Sequence, residues 1–255
     1  MRWLCFPLLA SLAAASTSPV TAQSPGPKPL RFDLTAIPVT RDSFVFRFRG
    51  VERGWAVWQY EIRPLEMTQQ VLYTAASEFQ PVEEERLRVV LNRLTGEPIA
   101  SFHRVDLFSP TSDTVMMEHD LEVKRGEIAG RRRTGTKSGE VKITPVSKPF
   151  PPGTVLHDGY ALLAAAVTNA APGDSLAVPA YSEFGDSLTT LSFVAEPPTM
   201  VEVPAGRFDV LPLRTGGLRL FVTRAAPRRV VKGETLDGAF AFELVHSGAV
   251  VPSPE

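Results

Sequence analysis

Alternation of period two runs through most of this chain, and no other feature restricts its fold so strongly. Phe44, Phe46 and Phe48 alternate with Val45, Arg47 and Arg49, and Ala56, Trp58, Tyr60 and Ile62 alternate with Val57, Gln59 and Glu61. Successive side chains of an extended strand point to opposite faces, so each stretch predicts a half-buried strand. Leu87, Val89 and Leu91 keep the habit, and Leu94-Thr95-Gly96-Glu97-Pro98 turns the chain into a strand over 99–108. Segments 114–124 and 127–134 flank a tight turn at Arg125-Gly126, and 139–146 gives one more strand. Strands resume over 176–181, 188–195, 199–213, 218–224, 228–234 and 240–246.

One segment departs from this period. Pro149, Pro151, Pro152 and Gly153 lead into Asp158-Gly159-Tyr160 and the alanine-rich run 161–167. Asp158 suits an N-cap, Leu162, Leu163, Ala166 and Val167 share one helical face, and Pro172-Gly173 marks a stop. The expected product is mainly β: about a dozen strands forming a strongly curved antiparallel sheet or open barrel, because many twisted strands curl over an apolar face. The short helix, near 158–168, should pack on the concave face and bury Leu162.

The N-terminus reads as an export signal. Arg2 precedes an apolar stretch over 3–15, and Val20-Thr21-Ala22 offers small residues for cleavage. The expected organisation is a signal peptide over 1–22, a proline-rich extended leader over 23–40, and a single β-rich domain over 41–250. The one cysteine, Cys5, leaves with the signal, so no disulfide is expected, and its place behind Arg2-Trp3-Leu4 does not suit a lipid anchor. The formal net charge of −1 gives no general attraction to nucleic acid or anionic lipid. The longest later apolar run, 160–167, falls short of the roughly 20 residues of a membrane helix. An outer-membrane barrel is disfavoured by the ending Val251-Pro252-Ser253-Pro254-Glu255, where a closing strand belongs. These features lead to a periplasmic protein with no transmembrane helix in its mature chain.

The string Val201-Glu202-Val203-Pro204-Ala205-Gly206-Arg207-Phe208 reads first as a shape device, a kink between two strand arms set by Pro204 and Gly206. It also resembles the signature of the domain of unknown function 3108 family of exported bacterial proteins. There the signature precedes a hairpin, a strand, a proline-containing link and a closing strand, matched here by 214–217, 218–223, 226–231 and 238–244. Phe221 or Leu220 stands where that family often has tryptophan. The resemblance covers roughly 153–244. It implies a curved sheet wrapped on a helix, similar to periplasmic lipoprotein carriers, and no established activity.

Chemistry-bearing motifs are scarce. His103, His119, His157 and His246 lack zinc-site spacing, and within Glu118-His119-Asp120 neighbouring side chains face opposite ways, so no metal or other cofactor is expected. No nucleophile elbow or phosphate loop occurs, which leaves no basis for an enzyme. Arg131-Arg132-Arg133 with Lys137, and Glu83-Glu84-Glu85, read as solvated charge at a hairpin end and a strand start. The aromatic set Phe44, Phe46, Phe48, Trp55, Trp58 and Tyr60 reads as core. If sheet and helix leave the hollow unfilled, Trp58, Tyr60, Leu162, Phe208 and Leu220 are the expected walls of a cleft for an apolar, lipid-like ligand. The alternative is a structural or assembly partner of envelope proteins.

Overall fold

The computed structural model describes residues 26–61, 64–74, 81–109 and 112–250. The expected signal, Ile62 and the C-terminal 251–255 lie outside them. The described residues form one continuous sheet of seventeen strands. Its first half is an antiparallel meander of β2 (Thr40–Phe48), β3 (Val51–Glu61), β4 (Leu65–Thr74), β5 (Pro81–Leu91), β6 (Pro98–Leu107), β7 (Val115–Lys124), β8 (Glu127–Thr136) and β9 (Val141–Pro149), preceded by the short β1 (Lys28–Pro29). A crossover follows, with β10 (Val155–Leu156), a 3-10 turn at His157–Gly159 and helix α1 (Tyr160–Ala166). The second half continues through β11 (Ser175–Ser182), β12 (Ser187–Ala195), β13 (Thr199–Val203), β14 (Gly206–Thr215), β15 (Leu218–Thr223), β16 (Val230–Thr235) and β17 (Phe240–Ala249). The two halves join where β17 pairs antiparallel with β2. The architecture is therefore mainly β: an open, curved antiparallel sheet with one short helix among the described residues, none of whose helices is long and apolar enough to cross a membrane.

Curvature brings the far ends of the sheet together through side chains. Arg132 of β8 donates to the Phe184 carbonyl at 2.9 Å and to Asp186 at 3.0 Å, in the turn between β11 and β12. Lys148 of β9 also reaches the Asp186 carboxylate, at 3.1 Å. Among the described residues β9 pairs only with β8; Lys142, Pro145, Lys148 and Pro149 guard the free edge against further pairing. Arg132 thus bridges the sheet ends, whereas the sequence placed all three arginines in solvent. The hidden cause is register, which sets Arg132 opposite the buried His119.

Helix α1 is apolar on every side and buried on every side, touching β15, β16 and the 3-10 turn at Leu34–Ala36. It is shorter than expected, and Gly159 stands at its N-cap. Asp158 does not cap it, because its carboxylate is engaged by His103. The leader expectation also changes from residue 28 on. Lys28–Pro29 pairs with β11, Lys28 meets Asp174 at 2.5 Å, and Leu30, Leu34 and Ile37 enter the core. Prolines fix extended backbone there, and the apolar residues between them supply enough burial to hold it against the domain.

The Val201–Phe208 string is a hairpin end, not a kink within one strand. Val203 pairs with Gly206 across the Pro204–Ala205 turn, and the two arms run antiparallel. Gly206 has φ 130°, a region that β-branched residues do not adopt without strain. Gly206→Val is therefore expected to destabilise the protein by about 1–3 kcal/mol, read as a lower denaturant midpoint at unchanged slope. Strand β4 is not among the strands that the alternation predicts. Its alternation Leu65, Met67, Gln69, Val71, Tyr73 is interrupted by an inward-facing glutamine, and that glutamine belongs to the site.

Candidate functional site

The ladder registers build the site one strand at a time. Trp58 stands opposite Gln69, Gln69 opposite Leu87, Leu87 opposite His103, and His103 opposite His119. A single row thus crosses the inner face of strands β3 to β7. A parallel row places Val71 opposite Glu85, and the next places Tyr73 opposite Glu83. The 3-10 turn and the start of α1 cover these rows with Asp158, Tyr160 and Ala161. Between cover and sheet lies an open cavity of about 400 Å³.

One side of the cavity is aromatic. Trp58 packs against Phe44 at 4.4 Å and Phe242 at 5.3 Å, Phe46 meets Phe240 edge-on at 5.4 Å, and Tyr73 approaches Phe240 at 6.4 Å. Phe242 needs Gly233 beside it, since a Cβ there would stand 2.2 Å from the ring. The indole Nε1 of Trp58 is buried without a hydrogen-bond partner among the described residues.

The other side is polar. His103 Nδ1 lies 2.8 Å from Asp158 Oδ2, and its Nε2 lies 3.0 Å from Glu85 Oε1. His119, fully buried, shares its Nε2 between Ser101 Oγ at 3.0 Å and Asp158 Oδ2 at 3.4 Å. Phe184 packs 4.8 Å from each imidazole. Glu183, also buried, lies 3.3 Å from the Asp158 backbone N–H through both oxygens. Burial and the charge of Asp158 push the Glu183 carboxyl well above the usual carboxylate range. Burial and the neighbouring Glu85 raise Glu83.

The two histidines titrate in opposite directions. Burial lowers His119 from 6.5 to about 4, so it stays neutral. Burial also works against charge on His103, but the hydrogen bonds and charges of Asp158 and Glu85 outweigh it and raise the group to about 9. His103 therefore stabilises fully below pH 6.5 and loses that contribution as pH rises through about 9. His119 stabilises fully above pH 6.5 and loses its contribution as pH falls toward about 4. The joint contribution of these two histidines is therefore greatest near pH 6.5. Calorimetry across this range should find His103→Gln lacking the alkaline fall while keeping the acid one.

Of the five walls expected from sequence, Trp58 alone lines this cavity. Tyr60, Leu162 and Leu220 are buried in the main core at 2%, 0% and 0% exposure, and Phe208 packs against that core from β14. Large apolar groups fill the deepest part of a curved sheet first, and the cavity opens where polar side chains keep the walls apart. Trp55 is 40% exposed on the opposite face from Trp58, as alternation demands. The expectation of solvated Glu83 and Glu85 is corrected: both line the cavity, while Glu84 faces outward to Arg86 at 2.7 Å. Their shared parity with Leu87 and Val89 was the available signal. The expectation of scattered histidines fails for His103 and His119. Only the register of β6 against β7 makes them neighbours.

No family model matches the chain, and the curated proteins give no match. Among solved structures, the chain is similar to a β-barrel-like protein of domain of unknown function DUF1849 from Brucella abortus. The TM-score is 0.52 at 10% identity, over 84% of this chain and 99% of that one. At that identity the likeness is one of fold. The chain is thus similar in architecture to a β-barrel-like domain whose own function is unknown, and the curved sheet read from its alternation is the feature they share.

Proposed function

We propose that this protein is an exported, non-catalytic binding module or carrier of the periplasm, which holds an apolar, lipid-like ligand in the cavity between β3–β7 and the start of α1. The cavity carries the reading: about 400 Å³, open on one side, with aromatic walls. Ligand sites of small amphiphiles have this size and this mixture of apolar wall and few polar groups. Had the hollow been filled, assembly with an envelope protein would have been the better reading.

The polar end narrows the ligand. Glu83, Glu85, His103 and Asp158 line it, and none of the described lining residues is lysine or arginine. A ligand with a neutral head offering hydroxyl or amine donors fits this end better than one ending in a carboxylate. Titration with monolaurin should quench Trp58 fluorescence and saturate, and laurate at neutral pH should bind more weakly. Tyr73→Ala should lower monolaurin affinity about tenfold, since one lost aromatic contact of about 1.4 kcal/mol has that effect. Organic extraction of freshly purified protein followed by mass spectrometry should release a stoichiometric amphiphile. Absence of both extractable ligand and saturable quenching would overturn the carrier reading and return assembly to first place. Intact mass of the exported protein tests cleavage after Ala22.

A further inference from the structure

We propose that His103, His119 and Asp158 form a binding site for one divalent transition-metal ion of the zinc class. This rests on the polar cluster itself and not on the apolar ligand. Each of the three residues offers a donor atom within 4.8 Å of the others. Asp158 Oδ2 stands 3.4 Å from His119 Nε2 and 2.8 Å from His103 Nδ1. Donors about 2.0–2.2 Å from a tetrahedral ion are separated by roughly 3.3–3.5 Å. One pair already has that spacing, a second reaches it by opening about half an ångström as the ion displaces the proton they share, and the third, His103 with His119, lies within 4.8 Å and closes onto the ion.

Three further observations point the same way. The histidines face each other across the β6–β7 ladder, so two donors are set by paired backbone and not by loops. His119 is completely buried and turns its Nε2 toward Asp158 Oδ2 and Ser101 Oγ, so that its donor is held at the cluster. Glu85 sits at His103 Nε2, on the far side of the ring from Asp158. This is the place of an outer carboxylate beside a metal-bound imidazole, at ion-pair distance. Two imidazoles with one carboxylate suit zinc, copper or nickel, whereas calcium and magnesium want oxygen donors alone. His103 and Asp158 both border the cavity, so a remaining coordination position faces it and is open to water or a ligand oxygen.

The test uses the full chain, stripped with a chelator and titrated with Zn2+ against a chromophoric competitor. One ion per chain is expected, with Co2+ giving the visible absorption of a tetrahedral site and with Ca2+ and Mg2+ failing to compete. Glu85→Gln should weaken zinc by about 10–100-fold, and His103→Gln and Asp158→Asn by more. Asp120→Asn, an exposed acid beside the site in sequence, should leave it unchanged. His119→Gln alters a buried group and can fail to fold; His103→Gln, whose ring borders the cavity, then carries the test, with circular dichroism confirming the sheet. Absence of saturable binding, or binding indifferent to both His103→Gln and Asp158→Asn, overturns the proposal. The monolaurin and laurate titrations are run on the chelator-stripped protein, where no ion faces the cavity, so the two readings stand or fall separately.

Discussion

Replacing Arg229 by methionine is expected to destabilise this protein by about 3–5 kcal/mol, because it strands a buried carboxylate. Asp42, 1% exposed on β2, accepts from Arg229 at 3.2 Å and from Ser247 Oγ at 2.6 Å. Arg229 also donates to Ser247. The three residues clamp the β17–β2 seam, where the C-terminal meander meets the N-terminal one. A total stability of about 5–15 kcal/mol makes such a loss a large fraction of the whole. Denaturant unfolding should show the midpoint fall. The double replacement of Arg229 by methionine and Asp42 by leucine should recover most of it, since removing both charges leaves nothing unpaired. If the double variant is no more stable than the single, the seam depends on something other than this pair.

Leu162→Ala is the second large effect, about 2–5 kcal/mol, from lost transfer energy and the void left behind. Leu162 is 0% exposed within α1, among core side chains that cannot collapse freely. Its consequence should fall on stability and not on ligand affinity, since it does not border the cavity. Tyr73→Ala should behave oppositely, being half-buried at the cavity wall. Thermal unfolding beside fluorescence titration of both variants separates the roles. Weakened monolaurin binding in a folded Leu162→Ala protein would show that the sequence had named a true wall.

Much of the fold was legible in the residues. The Arg125-Gly126 turn is present with φ of 53° and 77°, and the strands around it pair as expected. Strands with clean alternation were readable because only one face of each is covered. Strand β4 was not, because Gln69 occupies an inward position for the sake of the cavity. Asp158 shows how a local signal misleads: a good N-cap residue has no cap to make when an imidazolium lies 2.8 Å away. The glutamates of the 83–85 run read as solvated for the same reason, since charge alone does not say which face a strand presents.

By itself the sequence determined the extended period of the chain, its hairpin turns, the place of helix α1 and the apolar face that makes the sheet curl. These depend on neighbours along the chain, whose preferences are set by local sterics and side-chain parity. Tertiary structure alone decided that His103 meets His119, that Glu85 and Asp158 converge on His103, and that Trp58 borders a cavity while Tyr60, two residues on, is sealed in the core. Those outcomes depend on the registers of strands β3 to β7 and on where the Asp158 turn lands on them. A shift of one residue in any of these ladders would exchange the two faces, and no residue carries a record of its partner across the sheet.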